Sequence, residues 1–145
     1  MAALTDNRNT FERGGDVLSG PVAAGVLIYA GALVVRDAAG NLLPGTPGAG
    51  DFGVGRAEER VDNTGGAAGD ATVRVKVGKF RFNNSAGANA IARANIGAVA
   101  WIVDDNQVAL ADGGGTRSPA GIVHDVDDQG VWVRFDEVLT RLAAA

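Results

Sequence analysis

The sequence contains no cysteine, a single histidine and few aromatic residues. Without cysteine, disulfide bonds and thiolate metal sites are excluded. No run approaches the roughly 18 consecutive apolar residues that a membrane-spanning helix needs, so we expect no membrane partner. Acidic residues outnumber basic ones by 17 to 13, and the net charge of −4 argues against a surface that neutralises phosphate. Nucleic acid is therefore not an expected direct partner.

What the sequence has in abundance is glycine, with 22 residues among 145, together with many small apolar side chains. A chain of this length fits one domain with a modest core. The hydrophobic fraction of 46% and the charged fraction of 21% are typical of a globular protein. Because the first residues lack the apolar core of a signal peptide, we expect synthesis and retention in a cytoplasm.

Short apolar runs separated by glycine dominate the first half of the chain. Two of them, Val26–Tyr29 and Ala32–Val35, are best explained as buried strands. A helix over residues 22–36 is the competing interpretation, but Gly25 and Gly31 would each weaken it by about 1 kcal/mol relative to Ala. A further strand is predicted over Phe52–Ala57, between two glycine-rich loops.

The clearest strand signal is TVRVKVGKFRF, from Thr72 to Phe82. Valines alternate with polar residues up to Val77, and the phase then changes so that Phe80 and Phe82 are the apolar positions. A bulge or bend at Gly78 would keep all five large apolar side chains on one face.

Two hairpins are predicted in the second half. The first joins Val99–Val103 to Gln107–Ala111, and the second joins Ala120–Val126 to Val131–Phe135. Regularly spaced short strands joined by Gly and Asp turns indicate an all-β fold, either a small barrel or a sandwich-like domain. We assign this β domain to residues 21–136.

The two ends of the chain lie outside this pattern. Residues 1–20 carry only scattered apolar side chains, and we interpret them as an extended arm. The arm is either a disordered tail or a segment that orders on a neighbouring subunit through Phe11 and Leu18. Residues 137–145 predict a short helical tail with Val138, Leu139 and Leu142 on one side.

The stretch with the most candidate metal-binding or catalytic residues is DVDDQG, from Asp125 to Gly130. Asp125, Asp127 and Gly130 match positions 1, 3 and 6 of a calcium-binding loop. However, Gln129 stands at position 5 and Asp136 at position 12, and the flanking segments indicate strands rather than the two helices of that motif. We therefore interpret the stretch as a hairpin turn without metal.

Catalytic and ligand-binding patterns are equally weak. His124 has Asp125 and Ser118 nearby in sequence, but adjacency does not make a Ser-His-Asp triad, and we predict no enzymatic activity. The loop GGGTR at 113–117 lacks the Lys-Ser/Thr of a phosphate-binding loop, so no cofactor is expected. Glu58 and Glu59 are most simply a solvated charge run.

Trp101 and Trp132 are the remaining aromatic candidates. Either could stack on sugars or bases, although tryptophan on a strand is more often a core or interface residue. The residues alone thus indicate a β domain with a tail and no evident active site.

Several segments of the sequence resemble a known protein family. VDDNQVAL, GGGTRSPAGIV and DVDDQGVWV are the most specific, and the opening RNTFERGGDVLSGPV is also similar. Over roughly residues 6–135 the chain resembles the capsid cement, or decoration, proteins of Mu-like tailed bacteriophages. The tail DEVLTRLAAA is less regular than the family pattern.

The resemblance implies a structural virion protein without catalytic residues, cofactor or metal. Such a protein would bind the major capsid protein on the outer capsid surface, as a homotrimer at threefold and quasi-threefold positions, and stabilise the expanded, DNA-filled head. It would be made in the cytoplasm of a bacterial host. Its N-terminal arm would make capsid or inter-subunit contacts, with Arg8, Phe11, Arg13 and Leu18 as candidates. The alternative is a virion-displayed adhesion or carbohydrate-binding module that uses the two tryptophans.

Overall fold

The computed structural model describes residues 3–11, 13–48 and 50–144, which form β-sheets and one short C-terminal helix. The first six strands are β1 Val17–Pro21, β2 Leu27–Ile28, β3 Leu33–Arg36, β4 Leu42–Pro44, β5 Phe52–Ala57 and β6 Val61–Asp62. The remaining elements are β7 Thr72–Lys76, β8 Lys79–Phe82, β9 Val99–Ile102, β10 Val108–Ala109, β11 Pro119–Asp127, β12 Gly130–Arg134 and the helix α1 Glu137–Ala144. Two single 3₁₀ turns, Gly87–Asn89 and Arg93–Asn95, lie between β8 and β9.

The strands form two five-stranded antiparallel sheets and one two-stranded sheet. The first sheet has the order β1-β7-β5-β3-β4, the second has the order β10-β9-β11-β12-β8, and β2 pairs with β6. No sheet closes on itself among the described residues. The prediction of an all-β fold is therefore confirmed in its sandwich-like form, and the barrel alternative is not.

The side chains form two hydrophobic cores, one on each face of the first sheet. The inter-sheet core consists of Leu33, Val35, Phe82, Ile91, Ala100, Ile102, Val108, Ala120, Val123, Val131, Val133 and Phe135. The second core consists of Val22, Ile28, Ala32, Val34, Leu42, Val54, Ala57, Val73 and Val75. Because side chains alternate along a strand, β3 contributes Leu33 and Val35 to the inter-sheet core and Val34 to the second core. The first sheet is thus buried on both faces.

Contact between the two large sheets depends on a glycine in β5. A Cβ atom on Gly53 would overlap the carbonyl group of Ala120 in β11. Only glycine permits the two backbones to approach so closely. The position therefore sets the spacing between the sheets.

The predicted strand over residues 72–82 is wrong in one respect. The first strand ends at Lys76 and a second begins at Lys79. β7 pairs with β1 and β5 in the first sheet, whereas β8 pairs with β12 in the second. Val73 and Val75 accordingly lie in the second core, and Phe82 lies in the inter-sheet core. The bend at Gly78 moves the chain from one sheet to the other, so the five apolar side chains do not share a face.

The hairpins and the termini follow the sequence pattern with shifted boundaries. Both predicted hairpins are present, as β9–β10 and β11–β12. The last four residues of the predicted arm, Val17–Gly20, belong to β1 because they pair with β7. The segment outside the sheets therefore ends at Asp16, and Leu18 is half-buried against the second core.

The helix α1 packs against β5 and β11, where the two large sheets meet. Thr140 is fully buried there, and its hydroxyl has no hydrogen-bond partner among the described residues. No helix in the described part of the chain is both long enough and apolar enough to cross a membrane.

Replacing Gly53 by alanine tests the close approach of the sheets. We expect Gly53→Ala to lower the free energy of unfolding by about 3 kcal/mol or more, or to prevent folding, because the new methyl group meets backbone that cannot move aside. The measurement is urea unfolding followed by circular dichroism. Gly65→Ala is the matched control, because nothing lies within 4 Å of its Cβ position, and it should change stability by no more than about 0.5 kcal/mol. Equal effects of the two substitutions would contradict the role of Gly53.

Thr140 allows a second test, in the opposite direction. Thr140→Val replaces a buried hydroxyl, unpartnered among the described residues, with a methyl group of similar shape, and should raise the free energy of unfolding by about 1 kcal/mol. Ser118 is the counterpart, because its buried hydroxyl donates a hydrogen bond to the Gly48 carbonyl. Ser118→Ala should therefore lower the unfolding free energy by about 1 kcal/mol. A loss of stability in both variants would show that the Thr140 hydroxyl is satisfied in solution.

Candidate functional site

The acidic stretch from Asp125 to Gly130 contains the end of β11, a tight turn at Asp128 and Gln129, and the first residue of β12, so the predicted hairpin turn is confirmed. Asp127 Oδ1 accepts a hydrogen bond from the Gln129 backbone N–H at 2.8 Å, and its Oδ2 accepts one from the Trp132 indole Nε1–H at 2.8 Å. Asp125 accepts a hydrogen bond from the Arg93 guanidinium at 3.0 Å. Asp127 thus links the turn to β12, and Asp125 links β11 to the 3₁₀ turn Arg93–Asn95.

The electrostatics of Asp127 follow from these contacts. The Trp132 indole N–H, the Gln129 N–H and the nearby Arg81 guanidinium favour the charged carboxylate and lower the pKa of Asp127. Both oxygens of the carboxylate accept hydrogen bonds. Within residues 3–11, 13–48 and 50–144, no three His, Asp or Glu side chains are grouped so that they could hold a metal ion.

His124 and Ser118 are not brought together as a catalytic pair. His124 is exposed at the point where β11 bulges against β12, between Val123 and Asp125. Ser118 is buried and donates to the Gly48 carbonyl, while Asp125 pairs with Arg93. In the described residues no hydrogen bond joins His124 to Ser118 or to Asp125.

The adjacent glutamates Glu58 and Glu59 each pair with a different arginine. Glu58 contacts Arg56 at 2.7 Å, and Glu59 contacts Arg74 at 3.2 Å. Hydrogen bonds from Arg74 lower the pKa of Glu59. This is the arrangement of a solvated charge run, in which each carboxylate pairs with an arginine of its own.

The two tryptophans lie on different strands of the second sheet. Trp101 is on β9 and Trp132 is on β12, with β11 between them, and both side chains are half-buried. The Arg81 guanidinium lies 5.6 Å from the centroid of the Trp132 ring. The Trp132 indole N–H already donates to Asp127, so one polar group that could have contacted a sugar is engaged within the protein.

The N-terminal segment, residues 3–11 and 13–16, contains the most exposed aromatic side chain of the described chain. Phe11 is 90% exposed, and Leu4 is also exposed. Arg8 and Arg13 are exposed and take part in no ion pair among the described residues. Three of the four predicted contact residues, Arg8, Phe11 and Arg13, are thus displayed on this segment, whereas Leu18 belongs to β1.

A second exposed apolar surface lies on α1. Val138 is 69% exposed and Leu142 is 71% exposed, and Leu139 beside them is also exposed. We call these three side chains the α1 apolar face. The sequence predicted that they share one side of the helix, but it could not show that this side points away from the domain.

The contacts of the opposite side of α1 explain this orientation. The Glu137 carboxylate accepts two hydrogen bonds from the Arg36 guanidinium, at 3.2 and 3.3 Å. The Arg141 guanidinium lies over the Phe52 ring, 4.9 Å from its centroid. Polar residues therefore attach the helix to β3 and β5, and the apolar residues face outward.

Comparison with known proteins identifies no relative. No family model matches the chain, and neither a curated protein nor a solved structure matches it.

The pKa of Asp127 makes the Asp127–Trp132 contact measurable. In a Trp101→Phe background, Trp132 fluorescence should report loss of the contact only after the pH falls below the usual Asp range near 4. Because the folded pKa is lowered, the stability that Asp127 contributes is present above its unfolded pKa and disappears as pH falls through the folded pKa. Asp127→Asn should remove this transition, and a transition at or above the usual Asp pKa would contradict the assignment.

Proposed function

We propose that the protein is a structural component of a tailed-phage virion. In this proposal it binds the major capsid protein on the outside of the head, as trimers at threefold and quasi-threefold positions, and stabilises the expanded, DNA-filled shell. The proposal rests on the side chains that the N-terminal segment displays. Phe11 is exposed outside every sheet, and Arg8 and Arg13 lack ion-pair partners among the described residues. The resemblance of the chain to Mu-like cement proteins supplies the identity of the partner.

An exposed phenylalanine on an unpaired segment supports a binding role on physical grounds. Burial of an aromatic side chain of this size removes about 150–250 Å² of surface from water. A segment without secondary structure can follow the surface of a partner and become ordered on binding. Arginine, moreover, pairs well with carboxylates at such contacts.

The proposed work requires contact area and rigidity rather than catalysis. A shell that holds DNA under pressure fails where its subunits separate, and a small subunit that spans such a junction adds buried surface there. Three linked copies act together, so that weak individual contacts become a strong attachment. The net charge of −4 is compatible with a position outside the shell, away from the packaged nucleic acid.

Deletion of the N-terminal segment tests the proposal. Removal of residues 2–15 should lower binding to expanded, empty heads at least tenfold and leave the fold intact. The deletion ends before Asp16, because the Asp16 carbonyl accepts a hydrogen bond from the Val77 N–H at 2.7 Å and supports the end of β7. Binding is measured by co-sedimentation with purified heads, and folding by circular dichroism and thermal unfolding.

Point variants separate the contribution of Phe11 from general loss of hydrophobic surface. Phe11→Ser should reproduce most of the loss, whereas Tyr29→Ser, at another exposed aromatic residue outside the segment, should bind as the intact protein does. Full binding by the truncated protein would show that the N-terminal segment does not contact the head. Failure of the intact protein to bind heads would overturn the proposed function itself.

A further inference from the structure

A small cavity opens where the turn between β2 and β3 meets the connection between β9 and β10. Its volume is about 280 Å³, and the polar side chains that line it are Tyr29, Asp105 and Asn106. The geometry points to a binding pocket for a guanidinium group, the side chain of an arginine presented by a partner protein. The pocket lies outside the N-terminal segment, so this inference does not rest on the proposed function.

The walls of the cavity are fixed by backbone hydrogen bonds. The Asp105 carbonyl accepts a hydrogen bond from the Leu33 N–H at 2.9 Å, which joins the β9–β10 connection to β3. The Gly31 N–H donates to the Ala57 carbonyl at 2.9 Å and so ties the β2–β3 turn to the end of β5. Because both walls are anchored to sheets, little ordering of the chain is needed when a ligand binds.

Asp105 supplies a carboxylate that has no cation beside it. Its side chain is half-buried and forms no ion pair within the described part of the chain. Burial, followed by the neighbouring carboxylate of Asp104, raises the pKa of Asp105. Both causes oppose the ionised form, and a cation in the cavity would offset both. Asp104 has a different role, since its Oδ1 accepts a hydrogen bond from the Asn106 N–H at 2.8 Å and supports the turn.

Tyr29 supplies an aromatic wall. The residue is 55% exposed, which is high for a large side chain outside the N-terminal segment. Aromatic rings attract guanidinium groups placed over their faces, and the Arg60 guanidinium already lies 5.8 Å from the centroid of the Tyr29 ring. Arg60 does not line the cavity, so it leaves the space beside Asp105 free.

Charge and size favour a guanidinium group as the ligand. The carboxylates of Asp104 and Asp105 outnumber the single positive charge of Arg60, so the cavity favours a cation over an anion. A planar guanidinium stacks on an aromatic ring and also donates paired hydrogen bonds to a carboxylate, whereas an ammonium group is a compact point charge. Small-molecule pockets measure roughly 300–1,000 Å³. A cavity of about 280 Å³ lies just below that range and suits one side chain.

Titration of the full chain with N-acetyl-arginine methylamide tests the pocket. We expect the backbone amide signals of Gly31, Ala32 and Asn106 to shift in NMR spectra, with a Kd on the order of 1 mM for a probe of this size. N-acetyl-citrulline methylamide has nearly the same shape but no charge, and should bind at least tenfold more weakly. Equal binding of the two probes would overturn the assignment of a cation site.

Variants of the two walls locate the binding. Asp105→Asn should weaken binding of the arginine probe at least tenfold, and Tyr29→Ser should weaken it about threefold or more. Asp128→Asn is the matched control, because it removes an exposed carboxylate with the same change in net charge, and it should bind as the intact protein does. Asp105→Asn should not lower the melting temperature, because burial and Asp104 oppose the carboxylate that it removes. A lower melting temperature together with lost binding would assign Asp105 to the fold rather than to the pocket.

The remaining outcomes overturn the inference in distinguishable ways. No shift of these signals up to about 20 mM arginine probe, well above the expected Kd, would show that the cavity binds no guanidinium. Tighter binding of free arginine than of the blocked probe would identify a site for an amino acid instead of a protein side chain. Shifts caused by methyl glucoside but not by the arginine probe would identify a saccharide site. Each of these results leaves the proposed function standing, and failure of the intact protein to bind heads would leave the pocket unaffected.

Discussion

The contact between β5 and β11 at Gly53 and Ala120 is the constraint on which the rest of the structure depends. The two strands occupy the centres of their sheets, and the absence of a side chain at Gly53 brings their backbones together. The inter-sheet core is filled mainly by Val, Leu, Ile and Ala, whose small volumes suit a narrow space between sheets. The same contact forms the site on which α1 is seated, so that it also determines where the α1 apolar face is displayed.

Much of the β architecture could be predicted from the sequence, because local signals determine it. Short apolar segments joined by Asp- or Gly-containing turns predicted the β9–β10 and β11–β12 hairpins, whose partner strands are adjacent in the chain. The break after Lys76 could not be predicted, because it depends on β1 and β12, which are distant in sequence. The pairing of Val17–Gly20 with β7 was missed for the same reason.

Of the two exposed apolar surfaces, one could be predicted from the sequence and the other could not. Exposure of Phe11 follows from the weak apolar content of its surroundings and could be anticipated from the sequence. The direction of α1 could not, because helical periodicity groups Val138 and Leu142 on one side without showing which way that side faces. The direction is determined by Arg36 and Phe52, which meet Glu137 and Arg141 only in the folded protein. The helix pattern alone predicts that the apolar side of α1 is buried against the core. The contacts of Glu137 and Arg141 turn that side toward solvent instead.

The orientation of α1 carries two energetic costs. The Thr140 hydroxyl, which has no partner among the described residues, is placed in the interior, while three larger apolar side chains remain exposed. Both features oppose stability, since a buried unsatisfied polar group and exposed apolar surface each carry a cost. The Arg36–Glu137 hydrogen bonds and the Arg141–Phe52 contact hold α1 in this orientation. Apolar side chains grouped on one exposed face are typical of a surface that binds another molecule.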